Sequence, residues 1–210
     1  MNEEQVTLGT RGRGLEGLVW RPATPGPARA AVVCHPHPLY GGSMHNSVVE
    51  AILNAMWELG YATLRFNFRG VGRSEGTHDG GPGETEDAVE AVRFITRLPG
   101  MSRDGVVLAG YSFGAMVAAQ AAVGMPEVFT VAAVAPPVLE EGASYLGRAK
   151  KRLIIVAGEH DLYCPLSELE VLRASLLCPL RIKALAGTDH FFVGCEAEVT
   201  AALVDGLSGA

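Results

Sequence analysis

The chain has 210 residues, 48% of them apolar and 19% charged, and its 17 basic and 23 acidic residues give a formal net charge of −6. A chain this long buries well over half of its unfolded surface, so it needs no disulfide or metal staple to fold. The acidic balance argues against the basic face of a nucleic-acid binder. The longest apolar runs, such as residues 131–138, fall far short of the ~20 needed to span a bilayer, and the 26 glycines follow no fixed period of the collagen or solenoid kind.

The first residues, Met1-Asn2-Glu3-Glu4-Gln5, carry acids where a secretory leader carries Lys or Arg, with no apolar block behind them. Four cysteines (Cys34, Cys164, Cys178 and Cys195) are scattered without a C-x-x-C pair. Both features lead us to expect a cytoplasmic protein with free thiols and no membrane partner.

Residues 6–8 and 15–20 read as short strands around a glycine-rich turn at 10–14, an antiparallel start. A loop at 22–27 leads to a buried strand at 30–34. Ser43 reads as the N-cap of a helix running to about Leu59, with Val48, Val49, Ile52, Leu53 and Met56 on one face. A strand at 62–66 is followed by a long glycine-rich loop, 69–83, and a helix at 84–98 that stops at Pro99-Gly100. A buried strand at 106–109 runs straight into a helix at 113–123. Strands at 131–135 and 153–157, a helix at 165–177, a strand at 180–185 and a helix at 191–207, broken early by Gly194, complete the chain. Strands alternating with helices predict an α/β sheet, and with no linker or repeat we expect one domain over 1–210. Residues 136–152 are too few to build a cap.

Gly110-Tyr111-Ser112-Phe113-Gly114 carries the chemical signal. It follows an apolar strand and opens a small-residue helix, the setting in which a G-x-S-x-G serine sits on a strained turn between glycines. A serine hydroxyl attacks only if a base takes its proton, and the base needs an acid to hold its tautomer. On such a turn the partners follow in the order Ser, acid, His. After Ser112 the chain has two histidines, His160 and His190. His190 follows the last strand and Asp161 lies just past the strand at 153–157, so both belong at the rim that carries Ser112. Glu159 and Asp189 are weaker acids: the first lies nearer its strand, and the second is adjacent to His190. The oxyanion hole needs two N–H donors. One is Phe113, after the nucleophile. The other comes from the His35-Pro36-His37-Pro38-Leu39-Tyr40-Gly41-Gly42 loop, where the prolines donate nothing and His37 is preferred over Leu39.

The segments at 34–42, 65–76, 110–114 and 158–161, with Asp189-His190, resemble in order the α/β-hydrolase superfamily, and within it the small capless bacterial esterase-like members. The resemblance covers nearly the whole chain, from Val6 to Leu207. It implies an α/β-hydrolase fold, an eight-stranded and mostly parallel sheet whose second strand is antiparallel, with no cap domain. It also implies a Ser112–His190–Asp161 triad and no cofactor. The His-Pro-His-Pro loop departs from the His-Gly usual after the third strand, so the second oxyanion donor stays open.

Three other readings are weaker. Gly70-Val71-Gly72 is followed by loop rather than helix, which removes the pyrophosphate site of a dinucleotide fold. Cys34, His35, His37 and His45 form a poor metal set, because consecutive strand residues face opposite ways. A non-catalytic binding module on the same fold would be signalled by a missing triad member, and all three are present. The expected activity is therefore a serine hydrolase, carboxylesterase-like, acting on small-molecule acyl esters or thioesters of short to medium chain, with hydrolysis of an amide or peptide bond as the alternative. Leu39, Tyr40, Phe191 and Tyr145 are the expected substrate contacts, and Arg69 and Arg73 are the cations nearest to these loops.

Overall fold

Strand β1 (Glu4–Thr10) pairs antiparallel with β2 (Arg13–Trp20), which pairs antiparallel with β4 (Ala62–Phe66). From β4 onward every pairing is parallel: β3 (Ala30–Cys34), β5 (Val106–Tyr111), β6 (Val128–Val134), β7 (Arg152–Gly158) and β8 (Leu180–Leu185). The order across this eight-stranded sheet is β1-β2-β4-β3-β5-β6-β7-β8, so β2 is the antiparallel strand the resemblance implies. This computed structural model describes residues 2–10, 13–23, 28–102, 105–176 and 178–208. Parts of the expected turn at 10–14 and loop at 22–27, and the expected helix end at Leu177, lie outside them.

The inner strands are buried on both faces, as parallel strands covered by helices must be. Their side chains alternate between two cores. Val106 and Leu108 enter one, with helices α2 (Pro82–Arg97), α3 (Phe113–Ala121), α5 (Ser144–Arg148) and α6 (Leu166–Ser175). Val107, Ala109 and Tyr111 enter the other, with α1 (Ser47–Glu58) and α7 (Glu196–Ser208). The rest of residues 136–152 is a single helical turn, α4 (Val138–Glu141), and Tyr145 and Leu146 of α5 are buried in the first core, so the segment packs down instead of forming a cap.

Three helix starts differ by two or more residues from the expected ones: α2 begins at Pro82, two residues early, and α1 and α7 begin later. Asn46, not Ser43, caps α1: it takes an extended conformation and its side chain accepts from the Val48 N–H at 2.9 Å. Ser43 Oγ caps only a local turn, accepting from His45 N–H at 3.3 Å. Helix α7 begins at Glu196, five residues later than expected. Residues 191–195 cannot be helical because Phe192 sits at φ 53° and Gly194 at φ 74°. Phe192 is fully buried in the second core, which holds a bulky residue in a conformation it would otherwise avoid.

Candidate active site

All the parallel strands end on one rim, and the loops there carry the residues singled out above. Ser112 follows β5 directly and adopts φ 54° and ψ −121°, a strained conformation for a residue with a side chain. Its N–H donates to the Val134 carbonyl at 2.9 Å, which ties the turn to β6. The flanking glycines are there because no side chain fits. A Cβ on Gly110 would lie 2.2 Å from the Gly114 carbonyl oxygen, and one on Gly114 would lie 2.4 Å from the carbonyl oxygens of Cys34 and His35. The strand, the turn and the end of β3 thus meet at backbone distance.

His190 Nε2 lies 3.0 Å from Ser112 Oγ, and its Nδ1 lies 2.9 Å from Asp161 Oδ2 and 3.0 Å from Oδ1. Asp161 is buried, and its Oδ1 also accepts from the N–H groups of Tyr163 (2.8 Å) and Cys164 (2.9 Å), so the carboxylate is held by its own loop. The two loops meet because Gly158 has no side chain: a Cβ there would lie 2.6 Å from the carbonyls of Thr188 and Asp189. The rival acids are engaged elsewhere. Glu159 accepts from Gly187 N–H at 2.8 Å, and Asp189 from Phe191 N–H at 2.9 Å.

Three aromatic rings surround the imidazole: Tyr163 at 4.8 Å, and Tyr111 and Phe191 at 5.6 Å. The Tyr111 hydroxyl donates to the His190 carbonyl at 3.0 Å. Burial first, then the Asp161 and Asp189 charges, push the Tyr111 phenol upward, so it stays a neutral donor.

The loop after β3 borders the cleft beside Ser112 and Phe113. Phe113 is the first residue of α3, so its N–H has no intrahelical acceptor. The Leu39 N–H donates to His37 Nδ1 at 3.2 Å, which engages the Leu39 amide and makes the His37 Nδ1 an acceptor. Burial, and then the neighbouring His78, push the His37 imidazole below its usual range. His35 anchors the loop from below. Its Nε2 accepts from Phe68 N–H at 3.0 Å and its Nδ1 donates to the Pro36 carbonyl at 2.7 Å, which engages both ring nitrogens. Burial also drives the Cys34 thiol strongly upward, away from the thiolate form that metals bind.

Ser112, Phe113 and His190 line an open cleft of about 580 Å³ with His37, Tyr40 and Phe191. Two expected contacts lie elsewhere. Leu39 is exposed outside the cleft, because its N–H turns toward His37. Tyr145 is buried in the first core, its hydroxyl 3.5 Å from the Pro137 carbonyl. Neither arginine reaches the cleft. Arg69 is buried against Asp87, with which it shares bonds from 2.7 Å, and Arg73 pairs with Glu16 at 2.8 Å.

Asn46, Gly80, Met116 and Tyr163 also line the cleft and escaped the sequence reading. Tyr163 lies two residues past Asp161, where a loop already placed at the rim could have signalled it. Met116 lies one helical turn after Ser112. Nothing local marks Asn46 or Gly80.

Residues 12–152 match the X-Pro dipeptidyl-peptidase family, S15. The chain belongs to that family. An α/β serine hydrolase homologue from Coxiella burnetii superposes with a TM-score of 0.88 at 36% identity, covering 99% of this chain and 98% of that one. A Xanthomonas campestris α/β serine hydrolase without a lid superposes with a TM-score of 0.85 at 31% identity, covering 99% and 94%. An uncharacterized protein of Rickettsia prowazekii is 34% identical over 207 residues, covering 95% of this chain and 86% of the relative. This S15-family chain is thus a capless α/β hydrolase with a serine-hydrolase fold.

Proposed function

We propose that the protein hydrolyses short- to medium-chain carboxylic esters or thioesters through an acyl-enzyme on Ser112. The observation that carries this reading is the unbroken chain of contacts from Ser112 Oγ to His190 to Asp161 on the wall of an open cleft. In the first step His190 Nε2 takes the Ser112 proton as Oγ attacks the acyl carbon. Asp161 accepts the Nδ1 proton in a bond and stabilises the imidazolium. The oxyanion is received by the Phe113 and His37 N–H groups. The imidazolium then returns its proton to the departing alcohol or thiol. A water activated by the same base releases the acid and regenerates Ser112.

The family name raises dipeptide cleavage as the other reading. Removal of an N-terminal dipeptide requires a pocket for a cationic amine, and taking such a charge out of water is costly without a counter-charge. No Asp or Glu lines the cleft among the described residues, whereas Tyr40, Phe113, Met116 and Phe191 offer apolar surface suited to an acyl chain. The test is kcat/KM on p-nitrophenyl esters of increasing acyl length beside Ala-Pro-p-nitroanilide. The expected result is turnover of the shorter esters, falling off for long chains, with little anilide cleavage. A higher kcat/KM on the anilide would assign the protein to peptide hydrolysis instead.

A further inference from the structure

The glycine-rich loop after β4 has no part in the chemistry above, yet it delivers a second imidazole–carboxylate pair against His37 and Phe113, two residues that line the cleft. Glu84, in the first turn of α2, is fully buried. Its Oε2 accepts from Gly81 N–H at 2.8 Å, and its Oε1 accepts from Asp79 N–H at 3.3 Å and lies 2.9 Å from His78 Nδ1. A buried carboxylate in this place fixes the direction of the ring it bonds. The His78 ring then packs edge-on against two others, His37 at 4.9 Å and Phe113 at 5.6 Å, which themselves touch at 4.8 Å. These two neighbours are the residues whose N–H groups form the oxyanion hole in the reading above, one from the loop after β3 and one from the first turn of α3.

The path of the loop explains its glycines. Gly70, Gly72, Gly76, Gly80 and Gly81 all have positive φ, and the chain doubles back so that a Cβ on Gly70 would lie 3.2 Å from the His78 nitrogen. Arg69 fastens the start of the loop to α2 by its bonds to Asp87. Both ends are therefore fixed to the helix that carries Glu84, and His78 is held between them.

We infer that His78, oriented by the buried Glu84 carboxylate, is a positioning residue for the oxyanion side of the cleft, its ring clamping His37 and Phe113 at their working separation. The inference rests on the serine-hydrolase reading and adds a role to a loop that reading leaves idle. Removing an oxyanion donor outright costs about 10²–10³ in kcat. A slackened pair retains part of its function, so the expected loss for His78→Ala is about 10- to 100-fold in kcat, with KM changed by less than about twofold, because the transition-state charge and not ground-state binding depends on the clamp.

The experiment is steady-state hydrolysis of p-nitrophenyl butyrate by wild type, His78→Ala, His78→Phe and Glu84→Gln. Each kcat is taken per active site counted by stoichiometric fluorophosphonate labelling, so that loss of folded protein does not register as loss of kcat. His78→Phe keeps a ring against His37 and Phe113 but loses the bond to Glu84, so its kcat is expected to lie between those of wild type and His78→Ala. Glu84→Gln keeps an oxygen for the loop N–H groups but removes the charge that aims the imidazole, and kcat falls several-fold at constant KM. If His78→Ala yields no soluble enzyme, Glu84→Gln decides. Unchanged kcat per labelled site in His78→Ala, or in Glu84→Gln where that variant decides, overturns the inference while leaving the hydrolase reading intact. So does a rise in KM alone. A His78→Phe variant as impaired as His78→Ala overturns it too, since the imidazole and not the ring contact would then be required. Absence of labelling in the wild type would instead be a failure of the hydrolase reading.

Discussion

His35 offers a stability test that is independent of catalysis. Its ring is fully buried and neutral, and burial lowers its pKa from the ordinary 6.5 to about 4 against a smaller opposing effect of the Pro36 carbonyl. The neutral tautomer is satisfied at both nitrogens, so a second proton on Nε2 would face the Phe68 N–H it now accepts from. The folded pKa lies below the unfolded one. Between about pH 6.5 and 4 the unfolded chain holds the extra proton, and stability is present above 6.5 and is lost as the pH falls. The full shift corresponds to about 3 kcal/mol, of which about 2 kcal/mol is lost between pH 7 and pH 5. Gln at position 35 keeps an oxygen acceptor near the reach of Nε2 and does not titrate. Urea unfolding of wild type and His35→Gln at both pH values isolates the effect, because every other titrating group cancels in the difference. We expect wild type to lose about 2 kcal/mol more than the variant between the two pH values. Equal losses would refute the reasoning, since a buried imidazole with both nitrogens engaged would then carry no proton penalty.

Two further outcomes follow from the rim contacts. Asp161→Asn is expected to lower kcat by about 10⁴, the cost of holding the base in the wrong tautomer, while Asp189→Asn loses less than about tenfold, because the Asp189 carboxylate is turned to the Phe191 N–H and not to the imidazole; steady-state ester hydrolysis checks both, and the reverse order would reassign the acid. Gly114→Ala forces a Cβ to within 2.4 Å of two carbonyl oxygens that cannot move independently of β3. The expected destabilisation is at least about 3 kcal/mol in urea unfolding, and a variant as stable as wild type would show that strand and helix are free to part.

The strands at 30–34, 62–66 and 180–185 agree to the residue with the structure, whereas the continuous apolar runs at 106–109, 131–135 and 153–157 place their strands but not the strand ends, because the ladder pairing takes in neighbours the runs do not mark. Helix starts were less legible, because Ser43 and Asn46 are both good capping residues and only the extended conformation of Asn46 lets its side chain reach the helix. The break at Gly194 was legible, but the helix was expected to start ahead of it at Phe191, and the burial of Phe192 in a left-handed conformation prevents that. The convergence of Ser112, Asp161 and His190 on one rim was legible because strand–turn–helix context and chain order constrain their placement. Tyr145 was not, since an aromatic residue near a strand end reads the same whether it faces a cleft or a core. His78 and Glu84 were out of reach for a different reason: their pairing depends on the glycine loop doubling back, and nothing in residue spacing reports such a path.

The central claim is that Ser112 is the nucleophile of a covalent mechanism, and a fluorophosphonate probe tests it most directly. One adduct per chain is expected, located on the Ser112 peptide by mass spectrometry, with parallel loss of ester hydrolysis. No adduct is expected in Ser112→Ala, and labelling is strongly slowed in His190→Ala, whose missing imidazole leaves the hydroxyl 3.0 Å away without a base. Wild-type turnover by Ser112→Ala, or an adduct on another residue, would contradict the claim.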